Sequence, residues 1–291
     1  MEDQAAKLRR LVENRGGYVP PQVSQTARTI AVTSGKGGVG KTNFTLNLAI
    51  AFHRAGKRVI VIDADLGMAN IDVLMGTVSR YNLSHLSKED VPLEQVLLQG
   101  PYGISYISGG SGIEHAADFS PIERQRLMKK LSACGELADI ILIDTGAGIG
   151  KNVLDFILAA DEVLLLTTPE PTALTDAYAV MKAYSIYASA KNLKLIVNRV
   201  YDASESHEVV SKLSSTSERF LKMPLECLGY IYEDRSLIQA VRRQVPMLVS
   251  YPEAAASKCV TAIANNLLYG SEVKVKKGWK EFLKHFFDFS Q

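Results

Sequence analysis

A chain of 291 residues with 47% hydrophobic and 22% charged residues has the composition of a globular protein that can bury a full core. Its formal net charge of +2 is too small to indicate nucleic-acid binding. Three scattered cysteines without a C-x-x-C pair, and a start that lacks a signal peptide's apolar core, predict a reducing cytoplasm. No apolar run approaches the roughly 20 residues of a membrane-spanning helix, and the five histidines lack the spacing of a metal site.

Short apolar segments alternate with helical patterns along most of the chain. Strands are predicted at 29–33, 58–62, 104–107, 139–143, 162–166, 194–197 and 228–231, and helices at 42–54, 121–131, 152–159, 175–187 and 209–220. Strands such as I-I-L-I and V-L-L-L are apolar throughout, which indicates burial on both faces. The sequence therefore predicts an α/β fold, a doubly wound and mostly parallel sheet with helices on both faces. This domain is expected to span residues 29–270, between an N-terminal segment (1–28) and a C-terminal helix (271–291).

The strongest motif is S-G-K-G-G-V-G-K-T at residues 34–42. It satisfies the phosphate-loop pattern G-x-x-x-x-G-K-[ST], with a predicted strand before it and a predicted helix after it. In such a loop the glycines let backbone N–H groups surround the phosphates, Lys41 reaches the β- and γ-phosphates, and the Thr42 hydroxyl contacts Mg²⁺. The residues expected to hold the nucleotide are Gly35, Gly37, Gly38, Val39, Gly40, Lys41, Thr42 and Asn43.

Polar residues follow three of the predicted strands, at the edge of the sheet where doubly wound folds bind ligands. Asp63 and Asp65 come after the second strand, and their spacing on extended chain points both side chains the same way. One could hold Mg²⁺ through water while the other orients the attacking water. Asp144 ends a hydrophobic strand and is expected to make a second magnesium contact. Asn198 suits the edge of a purine, although an ordinary turn asparagine explains the residue equally well.

Three motifs together, K-G-G-V-G-K-T with its extra lysine, D-A-D-L-G-M-A-N-I-D and D-T-G-A-G, resemble the deviant Walker A ATPases of the MinD/ParA class. The resemblance covers roughly residues 29–269. Within that class the whole chain is most similar to the FlhG family of flagellar-number regulators, also called FleN or YlxH. The resemblance implies a Mg²⁺-dependent ATPase that forms a homodimer with ATP. It also implies that Asp65 positions the water and that Asn198 contacts adenine.

A phosphate-binding loop does not need Lys36. If two subunits bind face to face, two ATP molecules approach each other, and their like charges repel strongly in a partly dry interface. A lysine at the mouth of each loop could reach the other subunit's nucleotide and act as arginine fingers do elsewhere. We therefore expect Lys36 to be a catalytic residue that acts in trans. The alternative is a solvated lysine in a glycine-rich loop.

The N-terminal stretch D-Q-A-A-K-L-R at residues 3–9 is similar to the segment with which the FlhG family stimulates its partner FlhF, a relative of signal-recognition-particle GTPases. Its helical pattern is too short and too charged to be stable alone, so the segment is expected to fold on the partner. Asp3, Gln4, Leu8 and Arg9 are the expected contact residues. Without the resemblance, a disordered tail with chance alternation is the alternative.

The stretch G-W-K-E-F-L-K-H-F-F-D at residues 278–288 has the period of an amphipathic helix. Aromatic and leucine side chains beside lysines are typical of helices that lie on a membrane surface. The expected membrane residues are Trp279, Phe282, Leu283, Phe286 and Phe287. This predicts a cytoplasmic protein that is peripheral to the inner face of the cell membrane. The alternative is a terminal helix packed on the domain or on a second subunit. The membrane and the packed interpretations are compatible if ATP-driven dimerisation releases the helix from a groove.

Other functions share parts of this pattern. An iron–sulfur carrier needs cysteines at the dimer face, and none of the three cysteines flanks a strand-end motif. A ParA-type DNA-segregation ATPase needs a basic DNA-binding surface rather than a membrane helix. A nucleotide-gated scaffold that recruits partners would use hydrolysis only incidentally, and a small-molecule kinase would need a second substrate pocket that no motif indicates. Flagellar basal-body components are further candidate partners, and no nucleic acid is expected.

Overall fold

The computed structural model describes residues 27–65, 70–88, 90–109, 120–188, 192–270 and 278–288. The strands are β1 (Arg28–Ser34), β2 (Val59–Ala64), β3 (Leu98–Gln99), β4 (Ser105–Ile107), β5 (Ile140–Ala147), β6 (Glu162–Thr167), β7 (Leu193–Val200) and β8 (Glu226–Tyr232). The helices are α1 (Lys41–Arg54), α2 (Asn70–Met75), α3 (Leu93–Val96), α4 (Pro121–Ser132), α5 (Cys134–Leu137), α6 (Lys151–Ala159), α7 (Pro171–Tyr187), α8 (Ala203–Thr216), α9 (Arg235–Arg242), α10 (Met247–Ser250), α11 (Ala255–Tyr269) and α12 (Gly278–Asp288). Short 3-10 turns lie at Leu83–Ser87 and Pro101–Gly103, and a π turn lies at Ser217–Leu221.

The described strands form one sheet in the order β3-β4-β2-β5-β1-β6-β7-β8. Neighbouring strands are parallel except for β3, which runs antiparallel to β4. Strand β1 lies between β5 and β6 at the centre and is buried along nearly its whole length, because helices cover both faces of the sheet. The predicted fold, a doubly wound and mostly parallel sheet, is therefore confirmed. The carboxyl ends of β1, β2, β5 and β7 all lie at one edge, where the candidate residues follow them.

Two hydrophobic layers enclose the sheet. On one face α1 packs against α11, and α11 also contacts β8. On the other face lie α4, α6, α7 and α8, and the C-terminal helix α12 packs there against α4 and α6. The C-terminal helix therefore contributes to the same core as the domain that was predicted to end at residue 270.

Two helices begin four or more residues earlier than the sequence pattern predicts. Helix α7 begins at Pro171 rather than at residue 175, because the fixed φ of proline suits the first position of a helix. Helix α8 begins at Ala203 rather than at residue 209, where the Asp202 carboxylate accepts the Glu205 N–H as an N-cap. Its predicted end at residue 220 falls in the π turn that follows the helix.

The aromatic face of α12 is buried in the protein. Trp279 is 1% exposed, and its indole N–H donates a hydrogen bond to the carbonyl oxygen of Leu131. The Phe286 ring stacks on the Phe156 ring, with 4.3 Å between centroids. At the start of the helix, the Gly278 N–H donates to the Asp161 carboxylate over 3.0 Å. None of the described helices is long and apolar enough to cross a membrane.

Candidate functional site

The glycine-rich loop joins β1 to α1 and depends on glycine at several positions. Gly38 and Gly40 have φ angles of 80° and 93°, a left-handed conformation that a side chain disfavours. Gly35 needs its small size for a different reason, because a Cβ atom there would collide with the backbone of Asp176 and Ala177. The loop therefore curls tightly before the helix N-terminus, as a phosphate-binding loop does.

An open cleft of about 340 Å³ lies over this loop. Its lining residues include Gly37, Gly38, Gly40, Lys41, Thr42, Asn43 and Asp65, all of them predicted from the sequence. Asn70, Val73 and Leu74 form part of the wall. The structure thus brings the phosphate loop and the end of β2 together around one cleft.

The second lysine of the loop, Lys41, is buried and forms an ion pair with an aspartate. Lys41 Nζ lies 2.9 Å from Asp144 Oδ1, and both side chains are almost completely buried. Thr45, one turn further along α1, donates its hydroxyl to the same oxygen over 3.0 Å. The other oxygen, Asp144 Oδ2, is buried and has no hydrogen-bond partner among the described residues. A buried carboxylate oxygen without a partner is costly, so this atom is open to a cation or to a water molecule.

The two acids at the carboxyl end of β2 have different surroundings, although the sequence predicts that both side chains point the same way. Asp63 is fully buried and accepts N–H bonds from Asp65 and Ile71, whereas Asp65 lines the cleft. Asp63 also lies beside Asp144 in the register of β2 and β5. Burial first, and then the negative charge of Asp144, raise the pKa of Asp63 to about 7. Two neighbouring carboxylates in a dry site favour a bound cation.

Asn198 lies on the other side of the loop. Its Nδ2 donates to the Val39 carbonyl oxygen over 2.7 Å, and its Oδ1 is an acceptor of the kind that a base amino group can use. A small pocket beside it has mostly apolar walls: Phe44, Ile231, Leu237, Met247, Ala256 and Val260. Apolar walls with an amide at one edge suit the chemistry of a base, but the pocket is only about 20 Å³ in volume in this structure, room for about one water molecule.

Lys36 lies at the mouth of the loop and is partly exposed. Its ammonium group lies 3.0 Å from a Glu170 carboxylate oxygen and 3.1 Å from the Thr172 hydroxyl. Both partners belong to the start of α7, so the cation contacts its own chain. Lys36 is thus close to the nucleotide cleft but does not line it.

Sequence reasoning missed three residues of this region. Thr45 and Asn47 lie on the buried side of α1, and the Asn47 Oδ1 accepts the N–H of Leu248, which ties α1 to α10. Glu170 follows β6 at the same edge as the other strand-end acids, so the rule that found Asp65 also applies to it. Thr45 could have been found from its spacing of four residues after Lys41, which is one helical turn.

The predictions for the N-terminal and the C-terminal segments have different outcomes. The expected partner-binding residues Asp3, Gln4, Leu8 and Arg9 lie outside the described residues. The expected membrane residues all lie in the protein core: Trp279, Phe282, Leu283, Phe286 and Phe287. Their apolar face covers α4 and α6 in this structure, as in the packed alternative.

Comparisons with known proteins place the chain in a family. The ParA family model, described as NUBPL iron-transfer P-loop NTPase, matches residues 25–268. Antiactivator FleN of Pseudomonas aeruginosa is 37% identical over 256 residues, which cover 88% of this chain and 89% of FleN. The flagellum site-determining protein YlxH of Helicobacter pylori is 33% identical over 288 residues, which cover 99% of this chain and 97% of YlxH.

Solved structures agree with these relatives. MinD of Pyrococcus horikoshii in complex with Mg-ADP superimposes with a TM-score of 0.68 at 25% identity, over 86% of this chain and 99% of that one. The MinD cell division protein of Aquifex aeolicus gives a TM-score of 0.67 at 28% identity, over 86% of this chain and 100% of that one. The chain therefore belongs to the ParA/MinD family of P-loop NTPases, in the group that contains FleN and YlxH.

Proposed function

We propose that this protein is an ATPase that dimerises with ATP, associates with the membrane and regulates the number and placement of flagella. The observation that carries the proposal is the second lysine of the loop. Lys41 is buried against Asp144, whereas Lys36 stands at the rim on a partly exposed ion pair. An exposed ion pair of this kind is weak, so Lys36 can leave Glu170 and bind a stronger anion on another subunit.

Magnesium fits the buried acids beside the cleft. Thr42, Asp63 and Asp144 would hold the ion, directly or through water, and hard oxygen ligands of this kind suit Mg²⁺. The buried Asp144 Oδ2 without a partner supports this assignment. When bound, the ion would neutralise charge on the β- and γ-phosphates. In the proposal Asp65 orients the attacking water, and the Asn198 amide accepts a hydrogen bond from adenine.

Membrane association is proposed for the α12 residues Trp279, Phe282, Leu283, Phe286 and Phe287. Because that face is buried in this structure, the helix has to leave the surface of α4 and α6 before it can insert into lipid. ATP-driven dimerisation would present two released helices, and the second inserts at high effective concentration. The protein would then be cytoplasmic and peripheral to the inner face of the cell membrane.

The deciding experiment is size-exclusion chromatography with light scattering in ADP and in ATP, with and without anionic phospholipid. We expect a monomer in ADP and a dimer in ATP, and co-sedimentation with anionic liposomes mainly in ATP. Truncation after Gly270 and the Phe286→Asp variant should both abolish sedimentation. A monomer in both nucleotides would remove the central mechanism, and equal sedimentation of intact and truncated protein would remove the membrane role.

The N-terminal segment is proposed to stimulate an FlhF-type GTPase related to signal-recognition-particle GTPases. Support comes from the motif at residues 3–9 and from similarity to FleN and to the flagellum site-determining protein YlxH. A peptide of residues 1–20 should raise the GTPase rate of that partner, and the same peptide with Gln4→Ala should not. No stimulation at saturating peptide would contradict this part of the proposal.

A DNA-segregation ATPase and a nucleotide-gated scaffold are the competing functions. The first predicts ATP-dependent binding to nonspecific DNA that weakens steeply with salt. The second predicts that partners bind equally well to a variant that cannot hydrolyse ATP. An iron–sulfur carrier would need cysteines at the dimer face, whereas Cys134 is buried in the core, where burial raises its pKa to about 12.

A further inference from the structure

The carboxylate of Asp144 is held by two different donors at one oxygen. Lys41 Nζ lies 2.9 Å and Thr45 Oγ1 lies 3.0 Å from Asp144 Oδ1. All three residues are buried: Thr45 and Asp144 are 0% exposed and Lys41 is 8% exposed. Water therefore does not compete for these contacts. The second oxygen, Oδ2, has no partner among the described residues.

The two donors differ in what a nucleotide does to them. In the proposed function, on which this inference rests, Lys41 serves the β- and γ-phosphates of a bound nucleotide. Its hold on Asp144 then weakens, and the carboxylate loses its charged donor just when it has to contact the metal. Thr45 has no role at the phosphates, since it lies one turn inside α1 and does not line the cleft.

The Thr45 hydroxyl has one hydrogen and two acceptors at equal distance. Its Oγ1 lies 3.0 Å from the Lys41 carbonyl oxygen and 3.0 Å from Asp144 Oδ1. A bond to an ionised acceptor is the stronger of the two, and the carbonyl already belongs to the helix. The hydroxyl can therefore remain on Asp144 after Lys41 leaves.

We infer that Thr45 is a positioning residue, whose hydroxyl holds Asp144 Oδ1 so that Oδ2 stays available to the magnesium that accompanies the nucleotide. After the nucleotide binds, the hydrogen bond from Thr45 replaces part of the stabilisation that Lys41 gave to the Asp144 carboxylate before. It also fixes the orientation of the carboxylate, because a single anchored oxygen limits rotation about the last side-chain bond. Thr45 does not itself touch substrate or metal.

The test uses Thr45→Val, which keeps the branched shape and removes the hydroxyl, and Thr45→Ser, which keeps the hydroxyl. Binding of a fluorescent ADP analogue to the full chain is measured in EDTA and over a series of Mg²⁺ concentrations. For Thr45→Val, the Mg²⁺ concentration that gives half of the gain in nucleotide affinity should be about tenfold higher than for wild type, since a hydrogen bond to a charged group is lost. Its affinity in EDTA should stay within about twofold of wild type, and Thr45→Ser should match wild type in both.

A purely structural threonine predicts a different result. Thr45→Val would then lower the melting temperature but leave the Mg²⁺ midpoint unchanged, and that outcome overturns the inference. If Thr45→Val folds poorly, Thr45→Ala removes the same hydroxyl and is judged by the same midpoint. If wild-type protein gains no nucleotide affinity from Mg²⁺, the proposed function fails and this inference with it. A wild-type magnesium effect that Thr45→Val retains in full removes only the role of Thr45.

Discussion

The ammonium group of Lys36 lies 3.0 Å from the carboxylate of Glu170, which lies three residues after the end of β6. The hydrogen bond and the charge of Lys36 lower the pKa of Glu170. The Lys36 and Glu170 side chains are 41% and 52% exposed, so solvent screens the pair and it contributes little to stability. The chain thus holds its signature lysine by a contact that is easily exchanged.

Replacement of Lys41 and of Lys36 by alanine should impair different properties of the protein. Lys41→Ala should lose at least tenfold in nucleotide affinity, because a buried cation that reaches the phosphates is removed. Lys36→Ala should bind nucleotide within about threefold of wild type but form no dimer in ATP. Nucleotide titration and light scattering measure the two effects.

Glu170→Gln is the matched control for Lys36. It removes the intrachain partner of the lysine but keeps the lysine and the shape of the side chain. We expect an unfolding free energy close to that of wild type and unchanged nucleotide affinity, because the pair is exposed. Equal loss of ATP binding in Lys36→Ala and Lys41→Ala would refute the proposed division of labour between the two lysines.

Asp65 should be needed for hydrolysis and not for binding. It lines the cleft, and its carboxylate is not engaged in any of the contacts that hold Lys41 or Asp144. Asp65→Ala should therefore bind ATP and accumulate as a dimer, while phosphate release falls by two orders of magnitude or more. Asp65→Asn tests the charge alone. A monomeric Asp65→Ala protein in saturating ATP would count against this role.

The local sequence predicted the sheet and the loop because their signals are short-range. Apolar strands and the G-x-x-x-x-G-K-T spacing need no knowledge of the rest of the chain, and the structure confirms the resulting fold. Helix α11 was missed although its buried residues recur at helical spacing, from Ala256 through Val260 and Ile263 to Leu267. The antiparallel β3 has only two residues, too few for a periodic signal.

The environments of the acids could not be predicted in the same way. Asp63 and Asp65 are two positions apart at the end of β2, and only the packing of β5 beside β2 buries the first next to Asp144. The contact of Lys36 with Glu170 joins residues 134 positions apart. Such pairs depend on the topology of the sheet, which local patterns do not specify.

Asp155 on α6 should make stability depend on pH. Its side chain is mostly buried, and burial raises its pKa to about 6 against a weaker opposing effect of Lys151. Since the folded state holds the proton more tightly than the unfolded chain, the contribution of this group is fully present below about pH 4 and is lost as the pH rises through about 6. Relative to wild type, Asp155→Asn should gain roughly 1–2 kcal/mol between pH 4 and pH 7.5, a range reduced for solvent screening.

Asp139→Asn provides a control of opposite sign. Burial acts to raise the pKa of Asp139, but the hydrogen bonds and charge of Arg58 outweigh it and lower the pKa. Its contribution is present above about pH 4 and is lost as the pH falls, so Asp139→Asn should be less stable than wild type at neutral pH. Urea unfolding at several pH values measures both variants. A pH-independent difference between Asp155→Asn and wild type would contradict the assignment.

The docking of α12 should be measurable as stability of the intact chain in the absence of nucleotide. Phe286 is 8% exposed and stacks on Phe156, so Phe286→Ala removes a large buried ring, which typically costs about 3–5 kcal/mol in a core. A terminal helix can detach on its own, however, and the loss cannot exceed the free energy that docking provides. Truncation after Gly270 removes all of that free energy and gives the upper limit.

We therefore expect a fixed order of unfolding free energy among three variants, measured by urea denaturation in ADP. Lys284→Ala, on the exposed side of the same helix, should stay within about 0.5 kcal/mol of wild type. Phe286→Ala should be less stable, and the truncated chain should be the least stable or equal to it. A Phe286→Ala protein clearly less stable than the truncated chain would contradict this account, because a helix that detaches can cost no more than a helix that is missing. A truncated chain that is unfolded without urea would count against membrane association, because release of the helix would then leave a surface that does not hold its structure.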